Sequence, residues 1–172
     1  MDKVTIKESG VSFGEFDPSN VFLIEDVLTK SNFGEGVKKV EFILKHRLKK
    51  NVSIVFLEAR SSIPKEADDF FNEIKLKMVH CLTVFFTLVS GRHESLRNQL
   101  PQNLKGVETL QLPIKLLLVI PKIPDVKLEE INQKFKQMFR IEKIIWDIDY
   151  SHIIVMNEER ARRYKLIKVN SH

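Results

Sequence analysis

The chain has 172 residues, 43 % hydrophobic and 30 % charged, and a formal net charge of +5 from 28 Lys and Arg against 23 Asp and Glu. That length suits one domain, 1–172, with one core, and that mixture excludes a disordered chain. The lone cysteine, Cys81, excludes an internal disulfide, and the most apolar run, 81–89, is too short to span a bilayer.

The excess of positive charge permits nucleic-acid binding without requiring it. With no apolar signal core after Met1, the expectation is a cytoplasmic protein that makes no membrane contact. Cys81 sits in an apolar helical context and reads as a buried small hydrophobe rather than a nucleophile.

Along the chain, residues 4–16 alternate weakly around Gly10 and Gly14, which suggests a strand or hairpin. Asp17-Pro18-Ser19-Asn20 is a turn with helix-start chemistry. A short helix is expected from Val21 to about Lys30, followed by a loop over 31–36. Two strand-like runs come next, from Val37 to His46 and from Val52 to Ser61, joined by a polar hairpin turn.

Pro64 is expected to open the best helix of the sequence, which Gly91 ends. Its positions Ala67, Phe70, Phe71, Ile74, Met78, Cys81, Leu82 and Phe85 keep helical spacing. Residues 92–113 read as a loop with room for a short helix. The run 114–120 (IKLLLVI) is a strand covered on both faces, ended by Pro121.

Leu128, Ile131, Phe135, Met138 and Phe139 mark an amphipathic helix. Ile141 to Ile148 and His152 to Met156 read as two further strands. Asn157 then starts a last helix with acids first and bases after, which suits the helix dipole. The fold class expected from this order is α/β, a mixed β-sheet sandwiched by helices.

Candidate chemistry gathers in the hairpin. Glu58 ends the apolar run Ile54-Val55-Phe56-Leu57, where a carboxylate is costly unless a base, a metal or water satisfies it. Arg60, two residues on, points to the same face. If Lys49 and Lys50 form a two-residue loop, Leu48 faces Asn51, Glu41 faces Glu58 and Lys39 faces Arg60.

Two glutamates opposite one another repel, and a divalent cation between them would relieve the pair. A solvated salt bridge of Glu58 with Arg60 or Lys39 is the alternative, and a three-residue loop would put the acids on opposite faces. The histidines show no zinc spacing, and no Gly-rich phosphate loop or Ser-His-Asp arrangement is readable. Basic residues cluster on the hairpin (Lys38, Lys39, Lys45, Arg47, Lys49, Lys50) and near the C-terminus (Arg160, Arg162, Arg163, Lys165, Lys168).

A helix with an acid (Leu23-Ile24-Glu25-Asp26), an acid on one strand (Val40-Glu41-Phe42), Glu-x-basic on the next (Glu58-Ala59-Arg60) and a long helix after it resemble the PD-(D/E)XK nuclease-like superfamily. The resemblance covers about residues 20–120 and implies a restriction-endonuclease-like core. It also implies a metal-dependent hydrolase of nucleic-acid phosphodiesters, with Glu41 and Glu58 as ligands of Mg²⁺ and Glu25 as an accessory acid.

The family's lysine position holds Arg60, which keeps its charge and acts only as a fixed cation. Lys75 or Lys77 of the long helix reaches the site instead in one reading. Lys39, Lys75 and Lys77 are then the candidate nucleic-acid contacts. The same fold also admits an inactive binding or regulatory module, or an interaction subunit with a protein partner or a second copy of itself.

Overall fold

Residues 2–31, 33 and 35–168 are described by the structure, a computed structural model. In chain order the elements are β1 (Val4–Glu8), β2 (Val11–Phe16), β3 (Val21–Phe22), α1 (Ile24–Lys30), β4 (Phe42–Leu48), β5 (Asn51–Ala59), α2 (Ala67–Val89), α3 (Glu94–Arg97), β6 (Ile114–Val119), α4 (Asp125–Met138), α5 (Arg140–Ile145), β7 (Ile153–Met156) and α6 (Glu158–Arg163). Five strands form a mixed sheet in the order β3-β4-β5-β6-β7, and β1 and β2 form a separate antiparallel pair.

Within the sheet, β3, β4 and β5 run antiparallel, while β5, β6 and β7 run parallel. Parallel neighbours need crossovers. The stretch carrying α2 and α3 makes the first, and the one carrying α4 and α5 makes the second.

The chain is α/β with a mixed sheet, as the sequence predicts, but helices do not sandwich it evenly. One face packs on α1, α2 and α4 through Leu28, Ile74, Met78, Phe85, Leu128 and Phe135. The other is covered by the β1–β2 hairpin and the segment around α6, through Val11, Phe13, Phe16, Ala161 and Leu166. Strands buried on both sides need apolar residues at successive positions, which explains why Ile54 to Leu57 and Leu116 to Val119 are all buried.

Helix α2 anchors the first face. Ten of its apolar side chains are buried, each worth about 1.5–3 kcal/mol relative to exposure. It begins at Ala67 rather than Pro64. Cys81 is fully buried on it, and burial pushes its thiol up to about 12, so the thiolate is not the resting form.

Other boundaries differ from expectation for identifiable reasons. Val21 and Phe22 are an edge strand paired with Leu44 and Ile43, so the helix expected from Val21 starts at Ile24. The strand expected from Val37 starts only at Phe42. Upstream, the Lys38 amide donates to His80 Nδ1 and the Val40 amide to Cys81 Sγ, so side chains of α2 hold this segment.

Ile141 to Ile148, expected as a strand, forms α5 and a turn. Its β-branched residues suggested extension, yet Ile141, Ile144 and Ile145 sit at i, i+3 and i+4, a helical spacing. The last helix is as expected in kind: the Asn157 side chain accepts a hydrogen bond from the Arg160 amide, and Glu158 and Glu159 occupy the first turn. Among the described residues no helix is long and apolar enough to cross a membrane.

Candidate functional site

The hairpin register is the expected one. Leu48 pairs with Asn51 across the two-residue turn Lys49-Lys50, and the ladder runs without a slip to Phe42 opposite Leu57. The ladder ends there, one residue short of a Glu41–Glu58 pair. Glu41 lies just outside β4, and its amide donates to the Leu57 carbonyl at 3.1 Å.

Glu58 is fully buried. It shares the sheet face of Ile54 and Phe56, which packs on α2. Its Oε1 is 2.8 Å from Lys77 Nζ, a hydrogen-bonded ion pair reaching across from α2. Arg60 Nε is also 2.8 Å from Oε1, as an ion pair whose N–H is not aimed at the oxygen.

The other oxygen, Glu58 Oε2, is buried with no hydrogen-bond partner. A buried carboxylate oxygen without a donor carries an uncompensated desolvation cost. Burial accordingly raises the Glu58 carboxyl above the usual range, against the pull of Lys77 and Arg60.

Glu41 is half-buried and responds more plainly. Burial first, then the negative charge of Glu58, push its carboxyl from 4.5 to about 7; Glu8 and Glu25 add to the rise and Lys77 opposes it. Four acids therefore share one electrostatic neighbourhood at the end of β5.

Arg60 is clamped from two sides. Its second contact is Glu73 of α2, 2.7 Å from Nη2, and its guanidinium lies 5.9 Å from the Phe70 ring centre. Glu73 escaped the sequence reading. A signal was present, since Glu73 and Lys77 are four apart and so share a helix face.

The remaining candidates are spread out. Glu25 is exposed on the first turn of α1. Lys39 reaches Thr29 Oγ1 at 3.4 Å. Lys75 pairs with Glu142 at 3.1 Å, so it turns away from Glu58 toward α5.

Much of the C-terminal basic cluster is spent on acids, with Arg162 on Glu158, Arg163 on Glu159, Arg160 near Asp125 and Lys168 on Glu15. Among the described residues no group of three or more His, Cys, Asp or Glu side chains could hold a metal ion. A site here has at most the two-carboxylate form. Comparison with models of protein families, with curated proteins and with solved structures finds no match for this chain.

Proposed function

We propose that the protein is a metal-dependent nuclease-like domain acting on nucleic-acid phosphodiesters, with Glu41 and Glu58 holding Mg²⁺ and Lys77 supplying the ammonium that Arg60 does not. The observation that carries this reading is the divided state of Glu58. One oxygen takes both cations, and the other is buried without a donor. A divalent ion at Oε2 would satisfy that oxygen and relieve the Glu58 repulsion that adds to the effect of burial on Glu41.

Mg²⁺ is commonly held by one or two carboxylates, with water and substrate phosphates filling its other positions. Two acids therefore fit it. When bound, such an ion supplies Lewis-acid stabilisation of charge on a phosphodiester.

The chain's own groups divide the remaining work. Lys77 fixes the Glu58 rotamer through a 2.8 Å contact and is a compact ammonium on a flexible stem. Arg60, held by Glu58 and Glu73, is a fixed positive charge that cannot move a proton. Glu25, exposed and close enough to raise Glu41, is an accessory acid at the rim.

A second reading rests on one observation. Glu58 Oε1 already carries two cations, and Arg60 already has a second acid, which suits a purely structural ion cluster in a non-catalytic binding module.

Calorimetric titration of Mn²⁺, with a Mg²⁺-dependent cleavage assay on DNA and RNA, separates the two. The nuclease-like reading expects one ion per wild-type chain. It also expects affinity at least about tenfold weaker in Glu58→Gln and in Glu41→Gln, a change of about 1.4 kcal/mol, and cleavage lost in Lys77→Met. A wild type that neither takes up Mn²⁺ nor cleaves overturns it in favour of the structural cluster.

A further inference from the structure

At the opposite end of β5 lies a second concentration of chemistry, independent of the Glu58 site. A cleft of about 390 Å³ opens where β5 and β6 begin, lined among others by Lys50, Ser53, Leu112, Pro113, Lys115 and His152. Ser53 and Glu58 are five residues apart on one strand, which places the two sites about 17 Å apart.

Lys115 is the one charge inside the apolar run of β6. It is half-buried, and its Nζ lies 5.7 Å from the Tyr164 ring centre. Among the described residues no carboxylate comes within ion-pair distance of it. Burial lowers its pKa from the ordinary value, the direction expected of a cation with no counter-charge.

Two imidazoles share this environment. His46 of β4 is buried and pairs across the strands with Ser53. Burial, then Lys115 and Lys165, push it down to about 4, while it bonds the Tyr164 backbone. His152, in the turn before β7, is lowered by burial and then by Lys115, and bonds the Ile114 backbone.

Two acids are near: Asp149, which opposes the lowering of His152, and Asp147, which lines the neighbouring cleft with it. The Asp149 carboxylate is already engaged by the Ser151 amide and hydroxyl. Basic groups from β6, the hairpin turn and two later segments thus converge, with Asp147 and the committed Asp149 on the side of the neighbouring cleft. Such an arrangement is costly empty and favourable around an anion.

We propose that this cleft binds the phosphate group of a phosphorylated ligand, with Lys115 and His152 as its main contacts and Lys50 and the Ser53 hydroxyl completing the donors. A tetrahedral oxyanion suits the set, since ammonium, imidazolium and hydroxyl donors can each take one oxygen. The volume exceeds what a bare phosphate fills, so an attached group has room. A neighbouring cleft, which shares Leu112, Pro113 and His152, is also lined by Trp146, Asp147 and Asp149.

Trp146 is the sole tryptophan of the chain and serves as the reporter. The test titrates the full-length chain near pH 7 with inorganic phosphate, a nucleoside monophosphate and the unphosphorylated nucleoside. Trp146 fluorescence is followed, along with calorimetry in two buffers of different ionisation enthalpy.

Saturable binding at one site is expected for both phosphorylated probes and not for the nucleoside. Proton uptake should accompany it, because an anion favours the charged form of His152. Equal affinity for both probes identifies free phosphate as the ligand, and tighter binding of the monophosphate identifies a phosphorylated small molecule.

Lys115→Met and His152→Gln should each weaken binding at least about tenfold, near 1.4 kcal/mol. Lys134→Ala, which alters the surface ion pair of α4 with Asp68, should leave it unchanged. Should Lys115→Met fail to fold, Lys50→Ala and His152→Gln carry the comparison. Absence of saturable binding by either phosphorylated probe overturns the proposal. So does equal binding by wild type, Lys50→Ala and His152→Gln.

Discussion

Replacing Glu41 with Gln tests the acidic neighbourhood most directly, because its effect on stability must depend on pH with a fixed sign. The Glu41 carboxyl is raised by burial and by Glu58 from 4.5 to about 7. A raised acid binds its proton more tightly in the folded chain than in the unfolded one. Its contribution to stability is therefore fully present below about pH 4.5 and is lost as pH rises to about 7.

That gap is worth at most about 3 kcal/mol. Glu41 is only half-buried, so solvent screening reduces the figure to about 1–2 kcal/mol. Glu41→Gln keeps the shape and removes the titration. Urea unfolding of both proteins between pH 4.5 and 8 should show the variant gaining about 1–2 kcal/mol on the wild type across that window.

For a chain of this size, that gain corresponds to roughly 2–8 °C in melting temperature. Mg²⁺ should oppose the trend, since an ion on Glu41 competes with the proton. Parallel stability curves for the two proteins over the whole window would refute the reasoning, because Glu41 would then carry no burden from burial or from Glu58.

Two further outcomes follow from buried polar contacts. Lys77→Met leaves the fully buried Glu58 with Arg60 alone and should cost about 2–3 kcal/mol in chemical denaturation; a Glu58→Gln background should recover part of that loss, and a loss below about 0.5 kcal/mol would mean that the pair is not what holds Glu58 in place. Asn132 of α4 is buried and exchanges two hydrogen bonds with the backbone of Val155 on edge strand β7, so Asn132→Ala should lower stability by about 2–3 kcal/mol and speed amide exchange at Val155, whereas unchanged protection there would show that the edge does not depend on this side chain.

The hairpin was legible in the sequence because its information is local. A two-residue turn fixes the register, and alternate residues then face alternate sides, so the sequence predicts the pairing from Leu48–Asn51 down to Phe42–Leu57. Helix α2 was legible because ten buried apolar positions repeat a single period.

What could not be read depends on contacts distant in sequence. Lys77 joins Glu58 only because the crossover lays α2 across that face of the sheet, and Lys75, two residues earlier, turns to Glu142 instead. The segment 37–40 looked like strand because nothing in its own composition says that His80 and Cys81 will take its amides. At 141–148 β-propensity favours a strand, but the i, i+3, i+4 spacing of the isoleucines fits the helix that forms, and propensity is the weaker guide.

The charge separation along β5 bears on both proposals. Glu58, Glu8 and Glu25 all act on Glu41 at one end, and Lys115 acts on His46 and His152 at the other, with Lys165 acting on His46. The formal net charge of +5 hides this, because it averages over both ends. At the acidic end, Lys75 and Lys77 have already given their charge to Glu142 and Glu58, which leaves Lys39 to attract a phosphate against several carboxylates. Nucleic acid would meet net repulsion there until a divalent ion reversed the local sign. Engagement at the Glu58 end must therefore depend on the ion for binding as well as for chemistry. Phosphate at the Lys115 end requires no ion, since the positive charge there is supplied by the chain itself.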